Sequence, residues 1–404
     1  MSVSHVGNTD KEQQAELQAH CLAHHVEGRW KSIIEEEYSD PNRMGFLYYG
    51  DHQSGAAFFY PGIEFCTSPE NMYDPRFRPW YVSAVSGPKD IVLVLDASSS
   101  MRDSDRWKYV VSAAEMVLSA LTEFDFATIV LFNSQAEVFE ESNLLWPVNK
   151  ANVARMRQWI RSQSPSEETN FRVAFDLAFA VFDSSVTSNR TSDCNRVILF
   201  LTDGEDRSGI SGADVRAANK HGAIIFTYSF GASADVVVPR DIACKNDGVS
   251  YFVPDGADIG MVMSRYYEYF AGHLGKTEQV RWVKYQDAVT SNDLITSCIP
   301  VYVHDVEPLE LIGVTCMDAS IISSNFVFEQ KADYEDAMAI AQSHSAKCNR
   351  VSYIPRELEA LRSKFHGEEV CPETMTSAAA AKTAHFHHNF LWAMGGLVFW
   401  ASMM

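Results

Sequence analysis

Four short, largely apolar runs constrain the fold of this chain more than any other feature. The runs are Ile91–Leu95, Ala127–Phe132, Val197–Leu201 and Ala223–Phe230. Between and after them lie segments with helical periodicity, which are Arg106–Leu121, Val153–Ile160, Phe171–Phe182, Ala213–Lys220 and Ile259–Leu274. A continuous apolar run is typical of a strand buried on both faces, and alternation with helices indicates a parallel sheet. We therefore predict an α/β block with a doubly wound, mostly parallel sheet.

The segments on either side of this block show another pattern. Short strands are expected at Phe46–Tyr49 and Ala56–Phe59 before the block, and at Thr296–Val303 and Leu311–Cys316 after it. Residues 10–37 have a helical pattern. Because the termini of a domain usually lie close together at its surface, we expect the α/β block to be inserted into one α+β domain with an antiparallel sheet.

These patterns predict the following division of the chain. Residues 1–89 hold the N-terminal helix and the first part of the α+β domain, 90–273 the α/β block, 274–345 the second part, and 346–404 a tail. The stretch from Cys348 to Cys371 is expected to be irregular, and a disulfide could close it.

The end of the tail has the layout of a glycosylphosphatidylinositol (GPI) attachment signal. Small residues at 377–379 precede a mostly polar spacer over 380–389 and an uncharged apolar segment over 390–404. The alternative is a C-terminal helix packed on the core. The first residues show no apolar segment of a signal peptide.

The sequence argues against two classes of function, nucleic-acid binding and catalysis. The chain has 33 Lys and Arg against 53 Asp and Glu, a net charge of −20, which would repel a phosphate backbone and argues against nucleic-acid binding. No phosphate-binding loop, zinc-protease motif, nucleophile elbow or dinucleotide fingerprint occurs. We therefore predict that the protein is not an enzyme and assign no catalytic residue.

Eight cysteines are scattered along the chain without a CxxC pair. This spacing argues against zinc ribbons and thioredoxin-type motifs, and leaves either a set of extracellular disulfides or free buried thiols. Asn189-Arg190-Thr191 is an N-glycosylation sequon in a polar loop, so Asn189 is a candidate glycosylation site on a cell-surface or extracellular protein.

Oxygen-bearing side chains follow two of the predicted strands. Asp96, Ser98 and Ser100 come at the end of the first apolar run, Asp203 follows the third run, and Thr169 precedes a predicted helix. The carboxyl ends of parallel strands are where ligands collect in such sheets, and hard oxygen ligands suit Mg²⁺ or Ca²⁺. The alternative is that these residues cap helices and turns.

The same segments resemble a known domain. The stretches IVLVLDASSSM, SPSEETNF and VILFLTDGED are similar to the von Willebrand factor A domain, a Rossmann-like fold, with its metal-ion-dependent adhesion site (MIDAS) complete. The resemblance implies that Asp96, Ser98, Ser100, Thr169 and Asp203 bind the ion. It also implies that an acidic residue of a partner protein takes an open coordination position.

The flanking motifs resemble a larger family. Tyr73 to Tyr81, Arg281 to Asp287 and Ile312 to Asp318 are similar to segments of the extracellular alpha-2-delta subunits of voltage-gated calcium channels, in which an A domain is inserted into a Cache sensor domain. This resemblance implies channel regulation or trafficking through contact with a membrane protein such as the pore subunit. It also implies a ligand pocket made by Tyr73, Arg78, Trp80, Tyr285, Asp287 and Asp318.

The residues of that pocket suit a free amino acid. An Arg fork binds a carboxylate through paired charge-assisted hydrogen bonds, while acids and aromatic rings hold an ammonium group. The alternative is that Arg78 pairs with a structural acid while Trp80 and Tyr81 fill the core. Three functions thus remain open: a metal-dependent cell-surface binding protein, an amino-acid-sensing Cache module whose metal site is structural, and an intracellular assembly factor.

Overall fold

The computed structural model describes residues 10–37, 46–60, 62, 73–257, 259–274, 280–286, 293–303, 306, 309–320, 331–353 and 355–366. The helices are α1 (Asp10–Glu37), α2 (Pro79–Ser86), α3 (Arg106–Ala120), α4 (Lys150–Arg161), α5 (Phe171–Thr187), α6 (Gly212–Ala218), α7 (Val237–Lys245), α8 (Ile259–Leu274), α9 (Lys331–Ser345) and α10 (Pro355–His366). The strands are β1 (Leu47–Asp51), β2 (Ala57–Tyr60), β3 (Lys89–Asp96), β4 (Phe126–Phe132), β5 (Ala136–Val138), β6 (Trp146–Pro147), β7 (Asn195–Thr202), β8 (Ile224–Phe230), β9 (Ser250–Val253), β10 (Arg281–Gln286), β11 (Asp293–Val303) and β12 (Glu310–Ser320). The chain divides into two compact units.

The first unit contains an antiparallel sheet built from both flanks of the inserted block. Its strand order is β10-β11-β12-β1-β2, so the strands that follow the block join the strands that precede it where β12 pairs with β1. The expectation of one α+β domain interrupted by an α/β block is confirmed in this respect. Cys298 and Cys316 are directly opposite each other on β11 and β12 and form a disulfide.

Helix α1 covers part of this sheet through one apolar face. Ala19, Ala23, Val26 and Trp30 recur at three- and four-residue spacing, and all are buried in one cluster with Phe58 and neighbouring residues of β1 and β2. This spacing aligns side chains along one side of a helix. The helix predicted over residues 10–37 is thus present with the expected bounds.

The second unit contains the predicted parallel sheet. Strands β4, β3, β7, β8 and β9 run parallel in that order, while β5 and β6 pair antiparallel with β4. Val92 and Val94 of β3 belong to a core cluster that includes residues of α5. Ile91 and Leu93, which alternate with these valines along the strand, are equally buried. Because both faces of the strand are covered, its sequence is a continuous apolar run, and the predicted fold class is confirmed.

The segment that follows the first unit returns to the second. Cys348 forms a disulfide with Cys194, directly before β7, and the Asn195 side chain donates to the carbonyl of Asn349 at 3.2 Å. The Arg362 side chain on α10 donates to the carbonyl of Gly248 at 2.9 Å. The expectation of an irregular stretch after Cys348 is therefore wrong, because α10 packs on the second unit and Cys348 pairs with a distant cysteine.

Disulfide bonding is confirmed for five of the eight cysteines. Besides the two pairs above, Cys244 is disulfide-bonded, whereas Cys21 on α1 is a free thiol. In the part of the chain that the structure describes, no helix has the length and apolar character needed to cross a bilayer. The proposed GPI signal lies outside the described residues.

Candidate metal centre

Two neighbouring parallel strands, β3 and β7, end at or directly before an acidic residue. They lie at the point in the sheet where the next strands along the chain are added on opposite sides of β3. Strand β3 ends at Asp96, and β7 ends at Thr202, directly before Asp203. Strand β4 lies on one side of β3 and β7 on the other, which is the switch point at which open α/β sheets bind ligands. Asp96 and Asp203 are 0% and 3% exposed. The two carboxylates are thus withdrawn from solvent at one edge of the sheet.

Hydrogen bonds join the loop after β3 to Asp203. The Oγ atoms of Ser98 and Ser100 lie 3.0 Å apart, and the Ser100 hydroxyl donates to Oδ1 of Asp203 at 2.7 Å. The backbone N–H of Ser98 donates to Oδ1 of Asp96 at 2.8 Å. Four of the predicted ligands therefore belong to one connected network.

Thr169 reaches the same place from the loop between α4 and α5. The side chain is buried, and its Oγ1 would lie only 2.7 Å from a Cβ added at Gly204, the residue after Asp203. The backbone N–H of Ser99 donates to the carbonyl of Glu167 at 3.0 Å, which ties this loop to the one after β3. All five predicted metal ligands are thus brought together.

Burial dominates the electrostatics of Asp96. Because the carboxylate is removed from water, its pKa is raised to about 6, although hydrogen bonds from Ser98 and Thr202 favour the charged form. The nearby charge of Asp203 raises the pKa of Asp96 further. A buried acid whose charged form is this costly fits a site in which a cation supplies the missing positive charge.

The donor chemistry fits a hard divalent cation. The five side chains offer carboxylate and hydroxyl oxygens, which are the ligands that Mg²⁺ and Ca²⁺ prefer. The described residues contain no group of three or more His, Cys, Asp or Glu side chains that could hold a metal. Any ion held here would therefore depend on the serine and threonine hydroxyls as well as on the two acids.

Sequence patterns missed three residues that shape this centre. The Thr202 hydroxyl donates to Oδ2 of Asp96 at 2.5 Å, and Arg106 Nη1 donates to Oδ2 of Asp203 at 2.9 Å. Gly204 leaves the space that the Thr169 side chain fills. Thr202 and Gly204 could have been found from their places beside Asp203, whereas nothing local marks Arg106, which opens α3.

Comparison with protein families identifies the second unit. Residues 90–265 match the family model of the von Willebrand factor type A domain. The chain carries a von Willebrand factor A domain. The matched residues contain β3 to β9 and all five predicted metal ligands.

The A domain and its flanks are also similar to curated proteins. The voltage-dependent calcium channel subunit alpha-2/delta-2 of Mus musculus is 27% identical over 279 residues, which cover 67% of this chain and 24% of that protein. The subunit alpha-2/delta-3 of Rattus norvegicus is 24% identical over 315 residues, covering 72% of this chain and 28% of that protein. The chain thus spans about a quarter of the length of these relatives.

One solved structure is weakly similar to the chain. The von Willebrand factor type A structure from Catenulispora acidiphila has 16% identity, covers 58% of each chain and has a TM-score of 0.41. The resemblance to A domains and to alpha-2-delta subunits that the sequence motifs indicated is confirmed by the family model and the curated relatives.

The first unit holds part of the second predicted constellation. The guanidinium carbon of Arg78 lies 4.4 Å from the centroid of the Tyr73 ring. Trp80 is 0% exposed, and its ring meets that of Tyr48 edge-on at 4.9 Å. The Tyr48 hydroxyl donates to Oδ1 of Asp318 at 2.8 Å. Contacts through Tyr48 therefore link Trp80 to Asp318. The Phe59 ring stacks on Tyr48 at 5.5 Å and meets the Tyr73 ring edge-on at 5.9 Å, which connects the Arg78–Tyr73 pair to the same group.

Two members of that constellation lie partly or wholly outside the described residues. Tyr285 belongs to β10, opposite Leu294, but its side chain lies outside the described residues, as does all of Asp287. Tyr81 is buried, in agreement with a core role. Among the described residues, no carboxylate lies within ion-pair distance of Arg78, so the alternative in which a structural acid pairs with it finds no partner there.

Asn189 lies on the surface of the A domain. It follows the end of α5, is exposed and has a φ of 54°. Thr191, the third residue of the sequon, donates a hydrogen bond from its hydroxyl to the buried Asp90. The predicted glycosylation site therefore has an accessible asparagine in a loop whose shape is fixed by Asp90.

Proposed function

We propose that this chain is a binding protein that uses a divalent cation to engage an acidic residue of a partner protein. When bound, the ion supplies a positive charge with an open coordination position for that carboxylate. The observation that carries the proposal is the gathering of oxygen donors from three loops of an A domain at one buried edge of the sheet. The proposed ligands are Asp96, Ser98, Ser100, Thr169 and Asp203.

The surface around the proposed metal centre is negatively charged, so binding of an acidic partner should depend on the cation. Glu167, Glu168 and Glu205 are exposed on the loops that carry Thr169 and Asp203, and the whole chain has a net charge of −20. An acidic partner would be repelled by this surface. A bound dication is the largest local charge in its site and reverses that repulsion at one point, so we expect partner binding to require the metal.

Calorimetric titration with MgCl₂ and CaCl₂ tests the metal site. Asp96→Ala should abolish the binding heat because the remaining ligands carry too little charge to offset dehydration of the ion. Asp103→Ala is the matched control, since it removes the same charge from an exposed position seven residues further along the chain. Binding heats that persist unchanged in Asp96→Ala would reject the site.

We further propose that the protein works at the cell surface as an alpha-2-delta-like subunit, with no catalytic role. In this proposal residues 90–273 are inserted into a Cache-type domain formed by 1–89 and 274–345, and the tail is a GPI-anchor signal. Two features support it: the relatives are calcium-channel subunits, and the disulfides are typical of oxidising compartments. A reduced protein found in the cytosol would contradict this location.

The partner we propose is the pore subunit of a voltage-dependent calcium channel. The test is co-purification of the tagged chain with that subunit from cells expressing both, in MgCl₂ and in EDTA. We expect co-purification only with the metal, and none with Asp96→Ala, while Asp103→Ala behaves as wild type. A complex that survives EDTA and Asp96→Ala would show that the metal does not mediate the contact. Release of surface protein by a phospholipase specific for GPI anchors tests the tail.

A second candidate function is binding of a free amino acid by the first unit. Its support is a pair of buried donors: Nε of Arg78 and Nε1 of Trp80 have no hydrogen-bond partner in the described part of the chain. Buried polar groups normally have partners, and a bound carboxylate would provide one. In this proposal Arg78 binds the carboxylate, Asp287 and Asp318 lie near the ammonium group, and aromatic side chains form the walls. These aromatic residues are Tyr73, Trp80 and Tyr285.

A thermal-shift screen of the common amino acids tests this pocket. We expect at least one amino acid to raise the melting temperature of the wild type and not of Arg78→Ala or Arg78→Lys, because lysine lacks the paired donors. Arg29→Ala is the control, since Arg29 is exposed on α1 of the same unit. A screen without any stabilising amino acid, or an equal response in Arg78→Ala, would reject the pocket.

A further inference from the structure

Arg106 is a buried cation that no part of the proposed function uses. Its side chain is 9% exposed and donates from Nη1 to Oδ2 of Asp203 at 2.9 Å. The same guanidinium donates from Nε to Oδ1 of Asp255 at 3.2 Å and from Nη2 to Oδ2 at 3.4 Å. Asp255 follows β9, so Arg106 connects the proposed metal centre to a loop that supplies no ligand.

The fold leaves a specific space for this guanidinium. Gly231, directly after β8, has a φ of +86°, and a Cβ added there would lie only 2.6 Å from Nε of Arg106. A larger residue would therefore displace the arginine. Together, Asp255 and Gly231 hold the guanidinium on one side of Asp203.

The position of Arg106 limits what Asp203 can offer an ion. Oδ2 of Asp203 is taken by Arg106, while Oδ1 accepts the Ser100 hydroxyl and belongs to the network of proposed ligands. At Asp96, one carboxylate oxygen accepts from the Ser98 backbone and the other from Thr202. A cation bound through both oxygens of either acid would therefore compete with the bond from Arg106 at Asp203 or with the bond from Thr202 at Asp96.

Mg²⁺ and Ca²⁺ differ in how they use carboxylates. Ca²⁺ takes about 6–8 oxygen ligands and often binds both oxygens of one acid, whereas Mg²⁺ requires a compact octahedron and usually keeps several waters. A site of acids that each offer one oxygen, completed by hydroxyls, suits the smaller ion. Releasing Oδ2 of Asp203 would permit the two-oxygen contact that favours Ca²⁺.

We propose that Arg106 makes this site select Mg²⁺ over Ca²⁺ by occupying Oδ2 of Asp203. This inference rests on the proposed function, because it assumes that the centre binds a divalent ion. Arg106 then acts through Asp203 and does not itself touch the ion.

The test is the ratio of the Ca²⁺ and Mg²⁺ dissociation constants, measured by calorimetry on the full chain. We expect the wild type to bind Mg²⁺ more tightly, and Arg106→Met to lower the ratio of Ca²⁺ Kd to Mg²⁺ Kd by about tenfold, the scale of effects of groups that orient metal ligands. Arg106→Gln, which is polar and uncharged, is the second variant and should lower the ratio in the same way. Asp255→Asn keeps the pair between Arg106 and Asp203 and should leave the ratio unchanged.

The outcomes separate this inference from the proposed function. Circular dichroism melts in EDTA first establish which of the two Arg106 variants is folded. If the ratio in the folded variant stays at the wild-type value, the inference about Arg106 is wrong. If Asp96→Ala nevertheless loses ion binding, the proposed metal site is still supported. A shift in Asp255→Asn as large as that in Arg106→Met also overturns it, because the effect would then come from the loop. If the wild type binds neither ion, both proposals fail.

Discussion

Replacing Asp96 by asparagine should stabilise the metal-free protein at neutral pH, although it removes a proposed ligand. Burial raises the pKa of the Asp96 carboxyl from 3.8 to about 6. In the unfolded chain the group titrates at its ordinary pKa, so folding at pH 7.5 must hold a charged carboxylate in a place that favours the neutral form. Asparagine has nearly the same shape and carries no charge.

The magnitude follows from the size of that pKa shift. A rise from 3.8 to about 6 is about two pH units, and each unit corresponds to 1.36 kcal/mol, which gives about 3 kcal/mol. Because the pKa is raised in the folded state, this stability is present below about pH 4 and is lost as the pH rises through 6. Asp96→Asn should recover this lost stability at neutral pH. For a domain of this size, that corresponds to a melting temperature higher by about 6–12 °C.

The hydrogen bonds of the site permit this substitution. Oδ1 of an asparagine can accept from the Ser98 backbone as Asp96 does now. The Thr202 hydroxyl, which donates to Oδ2 of Asp96, can rotate and accept from the amide nitrogen. Both polar atoms of the asparagine side chain therefore have partners, whereas the Thr202 hydroxyl proton loses its acceptor, so about 3 kcal/mol is the upper limit of the gain.

Urea unfolding in EDTA between pH 4 and pH 8 measures the effect. Wild-type stability should fall across this range, Asp96→Asn should change less, and MgCl₂ at pH 7.5 should stabilise only the wild type. Asp103→Asn, at an exposed position, controls for the loss of one negative charge. If Asp96→Asn is less stable than the wild type in EDTA at pH 7.5, the argument from buried charge is wrong.

Three further predictions concern Gly204, Lys89 and Asn189. Gly204→Ala would bring a Cβ to 2.7 Å from Oγ1 of Thr169 and should weaken Mg²⁺ binding in calorimetry by about ten- to hundredfold. Lys89 Nζ lies 3.2 Å from Oδ1 of Asp125, with both side chains buried, so Lys89→Met should cost about 3–5 kcal/mol in urea unfolding by leaving a buried charge unpaired. Asn189→Gln, in protein made through a secretory pathway, should abolish the mobility shift that a glycosidase produces in the wild type.

The sequence alone determined the strands that build the parallel sheet and the places where they end. Strands β3 and β7 contain the predicted apolar runs Ile91–Leu95 and Val197–Leu201, and helix α8 has the predicted bounds. These elements are recognisable because burial on both faces of a strand, or on one face of a helix, repeats along the chain with a fixed period. The acids that follow the strands could then be assigned to one edge of the sheet.

Elements without such a period were missed. Helix α7 contains Pro239, which argues against a helix in the sequence but lies in the first turn, where a missing N–H costs little. Strand β9 has only four residues. The segment after Cys348 was expected to be irregular, but its place is set by the disulfide with Cys194 and by Arg362, contacts that no local pattern encodes.

Only the tertiary structure decided the surroundings of the candidate metal centre. Arg106, Gly231 and Asp255 come from the start of α3, the end of β8 and the loop after β9, yet they meet beside Asp203. Local periodicity reports which side chains are buried and where strands end. The five oxygen donors were then predicted from their chemistry near the ends of β3 and β7 and near the start of α5, together with the resemblance to the A domain. Periodicity cannot report which buried charges meet, because that depends on the order of strands across the sheet and on contacts between residues as far as 149 positions apart.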